Sequence, residues 1–375
     1  MLITTIKSHD GRVLAHSEKT VPGTANTREG SMKFSVLVTL LLVGLFAVGT
    51  ASANPKPKIG AVIYKYDDTF MSYVRNEIEA GAAAVGKDKL DFTINDGQGD
   101  QSKVNDLVDL YLTQGATSLA INMVEPAAAN VVIGKVLARK VPIVFFNREP
   151  DPTDLAKDPV AYYVGAKAQQ SGTFEGEIVA AYWKAHPEAH KNKDGKLHYV
   201  MLLGDPANTD AKYRTEFSIK AVEAAGIKTD ALAEDTAMWE RGQAQNKMQA
   251  WLAKFGDKIE VVFANNDDMA LGAIEALKAA GYFNGKKFMP VVGVDATPPA
   301  LDALEQGTLL GTVLNDAQRQ GKATFELAYS LAQGLPATTS VAPLANADGT
   351  PDPKGQYIWV PYVKVTKDNY KNFKK

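Results

Sequence analysis

The sequence predicts an α/β protein built of two doubly wound parallel-sheet lobes. Three observations carry that prediction. After Pro57, short runs rich in β-branched and aromatic residues alternate with longer amphipathic segments of helical period. Several runs, such as Ile143-Val144-Phe145-Phe146 and Val261-Val262-Phe263-Ala264, are apolar throughout, as befits strands covered on both faces. Their number exceeds one compact sheet, and 375 residues are enough for two domains with separate cores.

In chain order, the run Lys58–Tyr64 leads into a helical pattern near Ser72–Val85, Asp91–Asn95 into Gln101–Gln114, and Ser118–Asn122 into Pro126–Ala138. Pro142–Phe146 and Ala161–Gly165 follow, the latter leading into Gln169–Ala185. The second half reads likewise. Leu197–Leu203 leads into Lys212–Ala225, and a helical segment Gln243–Lys254 ends at the breaker Gly256-Asp257. Ile259–Ala264 then leads into Ala270–Ala280, Pro290–Val294 into Pro299–Gln306, and Leu310–Leu314 into Ala317–Ala332. Tyr357–Val365 reads as one last strand. Strands separated by helices of this length imply βαβ units with right-handed crossovers. Crossings between lobes are expected at Gly165-Ala166-Lys167, after Asn315, and in the Pro/Gly/Asp-rich segment Ala345–Lys354. The first lobe is therefore expected to hold residues 58–165 plus 316–355, and the second 166–315 plus 356–375.

The beginning of the chain does not read as part of this fold. Met32-Lys33 opens an uncharged apolar run over residues 34–50, which ends in Ala51-Ser52-Ala53. A positive start, an apolar stretch and a small-x-small exit make residues 32–53 a secretory signal peptide, with 1–31 an upstream extension. An uncleaved membrane anchor is the alternative, since the run is nearly long enough to span. The chain has no cysteine, which excludes disulfides, thiol catalysis and a lipidated N-terminal Cys. With a net charge of −2 and no clustered basic excess, nucleic acid is not an expected partner.

In open parallel sheets, ligands bind beyond the carboxyl ends of the strands. Those positions carry Asp67-Asp68-Thr69-Phe70, Asn147-Arg148-Glu149, Asp205, Asn208, Asp210, Arg214, Asn265-Asn266-Asp267-Asp268, Asp295 and Asn315-Asp316, and Asp235-Thr236-Ala237-Met238-Trp239 opens another helix. Planar carboxylates and amides engage two neighbouring hydroxyls at once, and aromatic rings suit the C–H faces of a pyranose. The set matches a neutral sugar. Taken singly, such residues also serve as helix N-caps, a role open to Asp67, Asp210, Asp268 and Asp316. No Gly-rich phosphate cradle follows the first strand, where Tyr64-Lys65-Tyr66-Asp67-Asp68 stands. The histidines His186, His190 and His198 lie before or on a single strand, away from the strand-end loops, so a His-based acid/base site is unsupported. A glycosidase built on carboxylates such as Asp210 and Asp295 stays open at this point.

The motifs Tyr64-Lys-Tyr-Asp-Asp-Thr-Phe-Met-Ser72, Phe145-Phe-Asn-Arg-Glu-Pro150, Ala237-Met-Trp239, Ala264-Asn-Asn-Asp267, Gly293-Val-Asp-Ala296 and Thr312-Val-Leu-Asn-Asp-Ala317 closely resemble the bacterial periplasmic D-galactose/D-glucose-binding proteins. The similarity runs from about Lys58 to the C-terminus. It implies the type I periplasmic binding-protein fold, two lobes joined by a three-strand hinge, in a periplasmic, non-enzymatic, monomeric receptor without cofactor. Such receptors deliver D-glucose or D-galactose to the membrane permease of an ABC transporter and, in some bacteria, to a chemotaxis receptor.

By the resemblance, Phe70 and Trp239 sandwich the sugar ring, Asp68 and Asn147 bind hydroxyls, and Asp210 with Arg214 faces the anomeric end. Asn266, Asp295 and Asn315 take the remaining hydroxyls. Asn208 departs from the family, which has His there, contacting the hydroxymethyl oxygen. The family's calcium loop corresponds to His190, Asn192, Asp194, Lys196 and His198, with Glu260 as distant ligand. His190 and His198 replace the Asp and Gln of the family, so too few oxygen donors remain for tight calcium binding and no metal is expected. Adventitious zinc on His190 and His198 is the alternative. The effector core of a transcriptional repressor shares the fold, but a secretion signal stands where its helix-turn-helix would be.

Overall fold

The structure, a computed structural model, describes residues 56–337 and 355–374. The signal peptide and upstream extension, and the crossing expected within 345–354, lie outside the described residues.

Two six-stranded sheets organise the chain. The first contains β1 (Lys58–Ile63), β2 (Asp91–Asp96), β3 (Ser118–Ile121), β4 (Ile143–Phe146) and β5 (Ala161–Gly165). The second contains β6 (Lys196–Leu203), β7 (Lys228–Thr236), β8 (Val261–Ala264), β9 (Val291–Val292) and β10 (Gly311–Leu314). The late strands divide between them. β11 (Tyr357–Trp359) pairs parallel to β5, whereas β12 (Val363–Thr366) pairs antiparallel to β10. The spatial orders are β11-β5-β4-β3-β1-β2 and β12-β10-β9-β8-β6-β7. Both reverse direction beside their first strand, the topology that opens a crevice at the strand ends.

Each sheet is sandwiched by helices because its strands are apolar on both faces. In the first lobe, α1 (Thr69–Val85) and α10 (Ala317–Ala332) cover one face, where Ile59, Ala61 and Ile63 meet Val74, Ile78 and Leu327. Helices α2 (Gln101–Thr113) and α3 (Ala129–Arg139) cover the other, where Leu119, Ile121 and Phe145 meet Val108 and Val132. A short α4 (Pro152–Leu155) joins β4 to β5. In the second lobe, α5 (Ala168–Ala185) and α6 (Thr209–Ala224) pack on Met201 and Phe263 through Val179 and Val222. Helices α7 (Arg241–Phe255), α8 (Asp267–Ala279) and α9 (Pro298–Gln306) close the opposite face over Val200, Val262 and Val291.

Two expectations need correction. Tyr357–Val365 is two strands: after β11 the chain leaves the first sheet with the Val360 N–H on the Gly165 carbonyl, at 2.7 Å, and Pro361, which has no N–H to donate, interrupts pairing before β12. The third crossing therefore falls at Val360–Tyr362, and β11 belongs to the first sheet, where a boundary at 355/356 would have assigned it to the second lobe. Strand β7 was not expected at all. Its sequence, Lys228-Thr-Asp-Ala-Leu-Ala-Glu-Asp-Thr236, forms a largely solvent-facing edge with no apolar run to announce it.

Candidate functional site

A cavity lies between the lobes at the carboxyl ends of both sheets. All ten residues singled out from sequence line it, together with Tyr64, Met71 and Arg148. Ion pairs and hydrogen bonds close the cleft around it. Lys65 reaches Glu240 at 2.9 Å, Arg148 reaches Asp205 at 3.1 Å, and the Thr69 hydroxyl donates to Asp268.

From the first lobe, Asp68 caps α1: its Oδ1 accepts from the Met71 N–H at 2.8 Å and its Oδ2 from the Tyr64 hydroxyl at 2.5 Å. Phe70 follows in the first turn of α1, 8% exposed. Asn147 stands just beyond β4 in a left-handed conformation, φ 62°, which few non-glycine residues adopt without support. That support comes from the Tyr163 hydroxyl, which donates to the Asn147 carbonyl at 2.8 Å.

The second lobe supplies the rest. Asn208 caps α6, its Oδ1 accepting from the Asp210 N–H at 2.9 Å, which leaves its Nδ2 as a donor for the cavity. Arg214, one turn beyond Asp210, donates to the Asn265 carbonyl at 2.8 Å, to the Tyr362 hydroxyl at 3.1 Å and to Asp210 Oδ2 at 3.4 Å. Trp239 follows β7 at φ 67°. Its indole lies on Gly204, where a Cβ would come within 2.1 Å of the ring, so that position admits no side chain. Asn266 caps α8 through Oδ1, from Met269 N–H at 3.0 Å, and its Nδ2 donates to the Trp239 carbonyl at 3.3 Å. Asp295, at φ 124°, follows β9 and accepts from Asn315 Nδ2 at 3.3 Å.

Capping and site roles thus coincide at Asp68, Asn208 and Asn266, where the cap fixes one polar atom of a side chain that also lines the cavity. The caps proposed for Asp67 and Asp210 fall instead to Asp68 and Asn208, and that for Asp268 to Asn266, while Asp316 does cap α10. Burial raises the carboxyl groups of Asp68, Asp210 and Asp295 above the usual range, with Arg214 opposing the rise at Asp210 and Asp295. Although burial disfavours its charge, Arg214 is held protonated by Tyr362, Asp210 and Asp295. The result is a desolvated, aromatic-flanked set of planar donors and acceptors, suited to neighbouring hydroxyls and offering no phosphate cradle.

Sequence reasoning placed Arg148 at a strand end without giving it a role. It is 1% exposed, lies over the Tyr64 ring at 3.8 Å, donates to the Val124 carbonyl and reaches across the cleft to Asp205. An arginine directly after a wholly apolar strand, beside Asn147, was the available signal.

At the loop resembling a calcium site, the residues present do not fit the ion. Both oxygens of the buried Glu260 are occupied by N–H donors, Oε1 by Asn192 and Oε2 by His198, each at 2.9 Å. The His198 ring fills the space between carboxylates, 3.2 Å from Glu260, 3.4 Å from Asp194 and 3.6 Å from Asp230. Lys196 extends toward Asp230 at 3.4 Å. His190 is not drawn into this group: it stacks on Trp183 with ring centroids 3.7 Å apart, so the pairing with His198 needed for zinc is not formed.

Comparison with known proteins agrees with this architecture. A family model described as a periplasmic binding protein domain matches residues 59–336. The chain is 45% identical over 347 residues to the D-galactose/methyl-galactoside binding periplasmic protein of Haemophilus influenzae, covering 92% of this chain and 99% of that one. It is 30% identical to a putative rhizopine-binding protein of Rhizobium meliloti, over 87% of this chain and 96% of the relative. Among solved structures, an ABC transporter solute binding protein from Bacillus halodurans with bound myo-inositol superimposes with a TM-score of 0.71 at 27% identity, covering 85% of this chain and 97% of that one.

Proposed function

The chain belongs to the periplasmic binding protein family, and from that premise we propose that it is a periplasmic receptor that captures a free hexose, D-galactose or D-glucose, between its lobes and delivers it to an ABC sugar transporter. It is a binding protein and not an enzyme. The observation that carries the sugar reading is the interlobe cavity, whose lining brings Asp and Asn side chains from both sheets together with Phe70 of one lobe and Trp239 of the other.

Each group has a role in this reading. Phe70 and Trp239 cover the two apolar faces of the pyranose, and stacking of this kind contributes alongside the burial itself. Asp68 and Asn147 bind hydroxyls from the first lobe. Asp210 and Arg214 take the anomeric hydroxyl and ring oxygen, and Asn266, Asp295 and Asn315 the remaining hydroxyls. Asn208 offers its free amide to the hydroxymethyl group, donating as the family's His does but from a shorter side chain. Because these residues divide between lobes, ligand and closure favour one another. The closed form is then the one the transporter's membrane subunits read. Export through the segment 32–53 and action as a monomer complete the proposal.

A thermal-shift panel tests the class of ligand. Ligand binding to the native state alone raises the melting temperature by linkage, so D-galactose or D-glucose should raise it while D-ribose and myo-inositol at equal concentration should not. A rise with ribose or inositol and none with either hexose would overturn the reading.

A further inference from the structure

The Asp295 carboxylate is held in the cavity by an improbable stretch of backbone. Asp295 and Ala296 are consecutive residues at φ 124° and 53°, a region costly for side chains other than glycine. Such strain persists only where the surroundings over-determine it: β10 holds the Asp295 backbone, with the Asp295 N–H on the Val313 carbonyl at 2.8 Å, and one buried residue braces the positions on either side. The Asp267 N–H donates to the Val294 carbonyl at 2.8 Å, immediately before the strained pair. Its Oδ2 accepts from the Thr297 N–H at 2.7 Å and from the Thr297 hydroxyl at 3.1 Å, immediately after the pair. Its Oδ1 accepts from the Thr312 hydroxyl at 2.7 Å, and that hydroxyl oxygen receives the Ala296 N–H at 3.2 Å. Asp267 therefore brackets the turn from both ends and, through Thr312, from its middle. It is fully buried, and Gly293 leaves it room: a Cβ there would come 2.8 Å from Oδ1.

We infer that Asp267, which does not line the cavity, is the positioning residue that sets the aim of Asp295 toward the ligand. Asp267 is also the residue next to Asn266, so one side chain ties the loops after β8 and β9 together and presents Asn266 and Asp295 in fixed relation. Its oxygens accept three hydrogen bonds from the residues around the turn, and it does not reach the cavity lining. Burial raises its carboxyl to about 7, against the pull of Thr312 and Thr297, so the bracket is stiffest where the carboxylate is ionised.

The inference rests on the hexose reading, and a double-mutant cycle on affinity separates the two. Binding of D-galactose and D-glucose is measured for the wild-type chain, Asp267→Ala, Asp295→Asn and the double variant. If Asp267 acts through Asp295, Asp267→Ala weakens binding at least tenfold in the wild type and less than about twofold in the Asp295→Asn background, the non-additivity expected of residues that work as a unit. Thr312→Val, a milder break in the same bracket, is carried through the same cycle and should show the same loss of effect in the Asp295→Asn background; it serves alone if Asp267→Ala does not fold. A general loss of stability would weaken binding equally in both backgrounds. That result, or no loss in the wild-type background, overturns the role of Asp267. Failure of the wild-type chain to bind either hexose overturns the functional reading instead.

Discussion

Arg148 and Asp205 meet at 3.1 Å across the cleft, one anchored in each lobe. The guanidinium is buried against Tyr64 and the Val124 carbonyl, and Asp205 is its carboxylate partner from the second lobe. Of these contacts only the one to Asp205 crosses between lobes, so separating the lobes would break the pair. Removing one partner of a buried pair leaves the other charge uncompensated. Asp205→Ala is expected to weaken hexose affinity about tenfold with little change in the melting temperature of the ligand-free protein, as read by titration and calorimetry. Unchanged affinity would remove the pair from the closure mechanism.

Trp239 rests on Gly204 and frames the cavity from the second lobe. Trp239→Ala should cost on the order of 2 kcal/mol of hexose binding, since stacking and apolar burial are lost together. Gly204→Val should produce a comparable loss by displacing the indole without touching any polar group. Far-ultraviolet circular dichroism should be that of the wild type for both. Wild-type affinity in Trp239→Ala would eliminate the aromatic sandwich.

Glu149, beside Arg148, supplies a pH signature. Burial first, then the nearby charge of Asp210, raises its carboxyl to about 7, with Lys167 opposing. A folded value above the unfolded one means that the neutral group is favoured on folding. Its contribution to stability is therefore fully present below the ordinary value of 4.5 and lost as pH rises through about 7. At pH 8 the charged group costs roughly 3 kcal/mol at most, from about 1.4 kcal/mol per unit. Glu149→Gln should raise the melting temperature at pH 8 relative to the wild type and have little effect at pH 5. An equal effect at both pH values would contradict a proton-linked cost at this residue.

The loop around Glu260 predicts indifference to calcium. Its carboxylate is satisfied by Asn192 and His198 N–H groups, and the His198 ring stands among Glu260, Asp194 and Asp230. Chelator treatment should leave melting temperature and hexose affinity unchanged. A drop restored by added calcium would show that the loop reorganises around the ion.

How much of this was legible in the sequence depended on where the signal lay. Parallel strands buried on both faces announce themselves as apolar runs, so β4 and β8 could be read directly. The edge strand β7 could not, because Asp230, Glu234 and Asp235 carry neither apolar character nor strand propensity. Tyr357–Val365 looked continuous because β-branched and aromatic residues run through it on both sides of Pro361, and the pairing divides it between sheets. Most cavity residues follow strands that could be read, but Trp239 follows β7, and the choice of ten among many strand-end polar residues rested on the family resemblance. The supporting residues were not legible. Arg148 depends on Tyr64 and Asp205, and Asp267 on Thr297 and Thr312, partners 30 to 84 positions away whose meeting only the folded chain reveals.

The central claim is that the cavity between Phe70 and Trp239 holds one hexose. Isothermal titration of the purified protein, freed of residues 1–53, with D-galactose and with D-glucose tests it most directly. The account predicts saturable binding of one sugar per chain to at least one of the two, with a dissociation constant in the micromolar range or tighter, and loss of that binding in Asp295→Ala. No saturable binding of either sugar, or binding that survives Asp295→Ala unchanged, would contradict it.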